Sequence, residues 1–114
     1  MVNNGINKVR DLVAVDVTDG ILGEGTTASD PTDTGLETAD ATTEKDITVV
    51  STDKQTKETY TLLSTEGSTK TYTEYITRAA DTTTYDRIVF TGISFTTDGT
   101  EDLIIIKKRF FKSV

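Results

Sequence analysis

The sequence predicts an all-β domain: an antiparallel β-sandwich or meander of about five to seven strands with a short N-terminal helix. Three observations lead there. Thr occurs 25 times in 114 residues, and a β-branched side chain suits a half-exposed pleated surface. From Asp46 onward, apolar and polar residues alternate in short runs separated by turn residues, which is the period-2 signature of strands. Leu, Ala and Glu do not dominate, so a helix bundle is not expected. The length fits one β domain over 1–114, with 23–45 as an extended loop or arm.

The elements follow in order. In "VNNGINKVRDLVAVD", Ile6, Val9 and Val13 recur at helical spacing, and Asn3 or Asn4 can cap the start. This predicts a helix over 4–13, although "VAVDV" also reads as strand. "TDG" at 18–20 reads as a turn, and Ile21-Leu22 as a very short strand. The stretch "GEGTTASDPTDTGLETAD", 23–40, has Leu36 as its only sizeable apolar side chain. It reads as a loop ordered by Asp and Thr side chains bonding nearby backbone, with Leu36 as the peg that holds it. Tight turns are expected at Gly20, Gly23 and Gly25.

Five strands come next. "DITVVST" places Ile47 and Val49 on one face and Val50 on the other. "ETYTLLS" places Tyr60 and Leu62 together. "TKTYTEYITRA" puts Tyr72, Glu74 and Ile76 on one face. "YDRIVFTGISF" puts Tyr85, Val89, Ile93 and Phe95 on one face and Ile88 and Phe90 on the other. In "DLIIIKKRFFK", Leu103 and Ile105 face one way and Ile104 and Ile106 the other. Both faces of that last strand are apolar. It is therefore expected to be central in its sheet or covered by a neighbouring subunit, with Lys107, Lys108 and Arg109 as gatekeepers against wrong pairing.

Composition narrows the function. Hydrophobic residues make up 34 %, against about 45–50 % in an ordinary domain, so a thin core is expected. There is no Cys, His or Trp. That removes disulfides, thiolate sites, and the commonest general base and zinc ligand. No apolar run reaches membrane length, and Met1–Arg10 lacks the apolar stretch of a secretory signal. The expectation is a chain made in a cytoplasm, with no membrane partner.

Asp30 with Asp33, and Asp98 with Glu101 and Asp102, do not match a calcium loop, so no metal is assigned. Glu74 alternates with apolar residues and could pair with another carboxylate in hydrolysis. A buried Glu74 bonded to Arg78, Arg87 or backbone is the preferred, structural reading. "GEGTT" lacks the G-K-[ST] of a phosphate loop, and "KKRFFK" on a chain of net charge −7 is thin support for nucleic acid. No cofactor and no nucleic acid are expected. Residues 16–46 hold nine acids and one Lys, whereas 107–114 hold four bases and no acid. This asymmetry allows an acidic patch on one copy to meet a basic patch on another.

The order "GINKVRDLV", "GEGTTASDPTDTGLETA", "YTEYI", "RIVFTGISF" and "TTDGTEDLIIIKKRFF" resembles small structural proteins encoded in the tail modules of tailed phages and archaeal tailed viruses. Gly23, Gly25, Thr26 and Thr27 match the start of that family's loop, and Asp33, Thr34 and Leu36 match its second half. Glu74 matches a later Glu, with Ile76-Thr77 standing where the family pattern has Gly-Leu. The resemblance implies a non-enzymatic virion component made in the host cytoplasm, in the tail, baseplate or fibre-attachment region. Its partners would be copies of itself and other virion proteins. The implied contacts are the 23–40 loop as a clasp on an adjacent subunit, the strand Leu103, Ile104, Ile105 and Ile106, and the basic end Lys107, Lys108 and Arg109. A capsid decoration or turret protein is the alternative, and a carbohydrate- or cell-surface-binding β-sandwich is the alternative of another class.

Overall fold

The computed structural model describes residues 3–30, 32, 33, 35–64, 66, 70–95 and 102–112. One helix, α1 (Asn3–Asp16), leads into β1 (Val17–Gly23), a single 3₁₀ turn (Ala41–Thr43), β2 (Lys45–Asp46), β3 (Thr48–Thr52), β4 (Gln55–Leu62), β5 (Lys70–Ala79), β6 (Thr84–Phe95) and β7 (Leu103–Phe110). The strands form two antiparallel sheets, one ordered β2-β1-β5-β6 and the other β3-β4-β7. The predicted all-β sandwich with a short N-terminal helix is what forms.

The core lies between the sheets and is led by tyrosine. Leu22, Tyr60, Leu62, Tyr72 and Tyr75 are buried together, with Ile47, Phe90, Leu103 and Ile105 packed against them. Tyr60 and Tyr75 meet edge to face, their ring centroids 5.3 Å apart. A buried phenol usually finds a partner for its hydroxyl, and among the described residues Tyr60 and Tyr72 do whereas Tyr75 does not. Tyr72 donates to Asp40 Oδ2 at 2.9 Å, and Tyr60 donates to the carbonyl of Thr43. Asp40 in turn accepts from the Thr42 N–H and caps the 3₁₀ turn. Thr43 Oγ1 accepts from the Leu22 N–H at 2.8 Å. Polar tips thus let a chain poor in aliphatic residues close a core.

Several expected elements differ in detail. The helix runs to Asp16, and the predicted turn at 18–20 lies inside β1. Pairing with β5 on one side and β2 on the other overrides the local turn preference of Asp-Gly. "DITVVST" is two strands rather than one. Lys45–Asp46 pairs with β1, and the chain then crosses to the second sheet at Ile47, whose N–H bonds the Thr18 carbonyl. Tyr72 does not share a face with Glu74 and Ile76, because a register shift between Tyr72 and Glu74 sends Tyr72 into the core with Tyr75. One extra residue in a strand reverses every side chain beyond it.

The last strand is not central, and its own chain leaves one of its faces bare. Among the described residues β7 pairs with β4 and forms the edge of the three-stranded sheet. Of the predicted turns, residues 65, 67–69 and 96–101 lie outside the described residues, as do the side chains of Ile93 and Phe95.

Candidate functional site

Three features gather the residues singled out in the sequence. The first is the loop 24–40, which folds back over the outer face of its own β2-β1-β5-β6 sheet. Glu74 holds it there. Its side chain is fully buried, and its carboxylate accepts from the backbone N–H of Gly25 at 2.5 Å, of Glu37 at 2.8 Å and of Thr38 at 2.8 Å. Arg87 Nε donates to the same carboxylate at 3.0 Å. Arg87 Nη1 lies 3.2 Å from Asp33, and Ser29 Oγ donates to the Arg87 carbonyl at 2.8 Å. Thr73 Oγ1 donates to the Gly25 carbonyl at 2.6 Å.

The arm is thus closed by one carboxylate that reads three main-chain donors. Burial pushes the Glu74 carboxyl up, but the N–H groups of Thr38, Glu37 and Gly25 and the Arg87 guanidinium outweigh it and hold the group below the usual range. Arg78, the other base considered for Glu74, instead binds Asp19 and Glu44.

Gly23 and Gly25 are required by proximity rather than by turns. A Cβ on Gly23 would collide with the Thr38 carbonyl oxygen, and one on Gly25 would collide with Glu74 Oε2. Any side chain there would push the carboxylate off its donors. Thr26 and Thr27 are exposed, the Thr26 N–H bonding Glu37 Oε1 at 3.3 Å. Thr34 lies outside the described residues. Leu36 is half-buried and, with Ile21, Ala39 and Ile76, lines a depression of about 240 Å³. It contributes to the arm's seat, while Glu74 makes the hydrogen bonds that fix it.

The second feature is an ion cluster between the sheets. Because Lys107 and Arg109 share the parity of Leu103 and Ile105, they point inward rather than acting as gatekeepers. Arg109 binds Glu58 through Nε at 3.0 Å and Nη2 at 3.2 Å, and Nη2 also reaches Asp86 at 2.6 Å. Lys107 pairs with the same Asp86. The Tyr85 ring lies 5.4 Å from the guanidinium, within cation–π reach. Burial pushes the Asp86 carboxyl up, and Lys107 and Arg109 outweigh it and hold the group below its usual value. Four formal charges cancel here, tying the β6 and β7 edges together at one end.

The third feature is the outer face of the β3-β4-β7 sheet. Ile104, Ile106 and Phe110 are 57 %, 54 % and 62 % exposed, and Val50 is 53 % exposed. Strand register sets Val50 opposite Lys57 and Lys57 opposite Lys108, and both lysines are exposed. Around the open edge, Ile88, Phe90 and Thr91 of β6 and Ile104, Ile105 and Ile106 of β7 line an apolar groove of about 490 Å³ with Tyr75.

Sequence reasoning names Arg87 as one candidate partner of Glu74, as found, but does not mark Glu58, Asp86 or Lys57 as site residues. Glu58 shares the parity of Tyr60 and Leu62, which is a usable signal for a buried acid. Asp86 and Lys57 carry no such mark. Among the described residues, no cluster of three or more Asp or Glu is placed to hold a metal ion. Asp33 is occupied by Arg87, and Asp102 accepts from the Ser64 N–H. Asp98 and Glu101 lie outside the described residues.

No protein-family model, no curated protein and no solved structure matches this chain.

Proposed function

We propose that this chain is a non-enzymatic structural subunit of a tailed-virus particle, present in multiple copies in the tail, baseplate or fibre-attachment region. The observation that carries this reading is the uncovered sheet face, with Ile104 and Ile106 more than half exposed on an edge strand. Contiguous apolar surface on a sheet edge is an aggregation hazard in a solitary protein and marks a site of association. A repeating assembly supplies the cover, and the order of helix, glycine-threonine arm and strands resembles that of small virion proteins. Mass spectrometry of purified virus particles, with antibody labelling to place the chain, tests this. Many copies per particle are expected; absence from particles overturns the reading.

A second reading is favoured by one observation. A polar depression of about 400 Å³ is lined by Ser29, Asp30, Asp33, Tyr85, Arg87 and Lys107 among others, a mix of paired donors and acceptors suited to sugar hydroxyls. A glycan that raises the melting temperature, and no longer does so in Asp30→Ala, would favour a carbohydrate-binding sandwich instead.

A further inference from the structure

The two outer faces of the sandwich differ in charge as well as in cover. The arm on one sheet, residues 23–40, holds five acids and no base. Glu24, Asp30 and Glu37 are exposed on it, whereas Asp33 and Asp40 are taken up within the chain. The bare face of the other sheet carries Lys57 and Lys108 and no acid. Its remaining positions are the exposed Val50, Ile104, Ile106 and Phe110, with Thr and Gln between. Lys107 and Arg109 do not contribute to this face, because Asp86 and Glu58 consume them.

We infer that the bare face of the β3-β4-β7 sheet is the docking surface for the acidic arm of a second copy of this chain. Apolar side chains supply burial, and Lys57 and Lys108 meet the exposed acids of the neighbour's arm. The two surfaces are different patches of the same molecule, so the contact is head-to-tail. Repetition generates a ring or a filament, not an isologous dimer. The face spans three strands and about eight residues of β7, a footprint of roughly 400 Å² from strand spacing and rise. That is about half of what a stable pairwise interface buries per partner, so a single contact is weak and the array gains strength from many.

This inference rests on the multi-copy reading, and the two fail separately. Sedimentation of the wild type is expected to give a mass that climbs with concentration beyond the dimer. K57E/K108E and E24K/E37K are each expected to stay monomeric, with association weakened at least about tenfold and circular dichroism unchanged. An equimolar mixture of the two is expected to regain concentration-dependent growth, because the acidic arm of one meets the lysines of the other and the reversed arm meets the reversed face.

A wild type that stays monomeric to about millimolar concentration, or charge variants that associate like the wild type, overturns the pairing. So does a mixture that stays monomeric while both variants remain folded. A chain found in many copies per particle whose association ignores both charge swaps sinks this pairing alone. A chain that associates through this face yet is absent from particles sinks the virion reading alone.

Discussion

The molecule contains two carboxylate-centred clusters built from similar charges but joined to the fold in different ways. Glu74 sits on the outer face of one sheet and takes three of its four hydrogen bonds from main-chain N–H groups of the arm. Glu58 sits between the sheets and is held by side chains, bidentate to Arg109 with Thr56 Oγ1 at 3.0 Å. The contrast is between a charge that shapes backbone and a charge that joins side chains. The first has no apolar substitute, since removing the carboxylate strands donors that belong to the chain itself. The second is a set of paired ions, which well-packed apolar residues can often replace without loss.

The largest effect is expected at Glu74. Glu74→Ala leaves a buried Arg87 and three orphaned N–H groups, and should cost about 3–5 kcal/mol in urea unfolding. Hydrogen exchange should quicken at the amides of Gly25, Glu37 and Thr38. Glu74→Gln keeps an acceptor oxygen and should cost less, about 1–3 kcal/mol. Equal losses in the two variants would mean that the acceptor oxygen contributes nothing.

Gly25→Ala comes next, since its Cβ would occupy the carboxylate's place. A loss of about 1–3 kcal/mol, with the same local exchange signature as Glu74→Gln, is the expected result.

The second cluster should tolerate more. Glu58→Leu combined with Arg109→Met is expected to change stability by less than about 2 kcal/mol in either direction. Replacing Glu74 and Arg87 in the same way should unfold the arm. Similar outcomes for the two double variants would erase the distinction between the clusters.

Acid provides a finer test. The carboxyls of Glu74 and Asp86 are both held below their usual range, so each binds its proton less readily folded than unfolded. Their stabilisation is complete above the ordinary carboxylate range, near pH 4, and is lost as pH falls through the depressed values. Arm amide protection should fall in step in the wild type, whereas in Glu74→Gln it should no longer follow acid. The smallest effect on the monomer is expected for Ile104→Thr. Its stability should shift by about 0.5 kcal/mol or less, while binding of a hydrophobic dye drops.

Legibility in the sequence differs by region. The all-β architecture is readable because each strand carries its own alternation. The buried role of Glu74 is readable because it alternates with Ile76. Its partners are readable only as alternatives: Arg78, Arg87 or backbone. Arg87 lies 13 residues away across a hairpin, and the arm's N–H donors come from positions 25, 37 and 38, which no local pattern marks. The inward turn of Lys107 and Arg109 is readable in principle from the parity of Leu103 and Ile105. Consecutive bases look like surface until a buried acid is known to face them.

Read without coordinates, the chain already tells which segments are strands, where its one helix starts, and that aliphatic material is scarce. Those properties follow from side-chain period and composition, which need no distant partner. That β7 is an edge, that the arm lies on its own sheet, and which charges are spent inside emerge only from the folded molecule. Each depends on which strands pair and in what register, and a single bulge at Tyr72–Glu74 is enough to exchange the two faces of a strand.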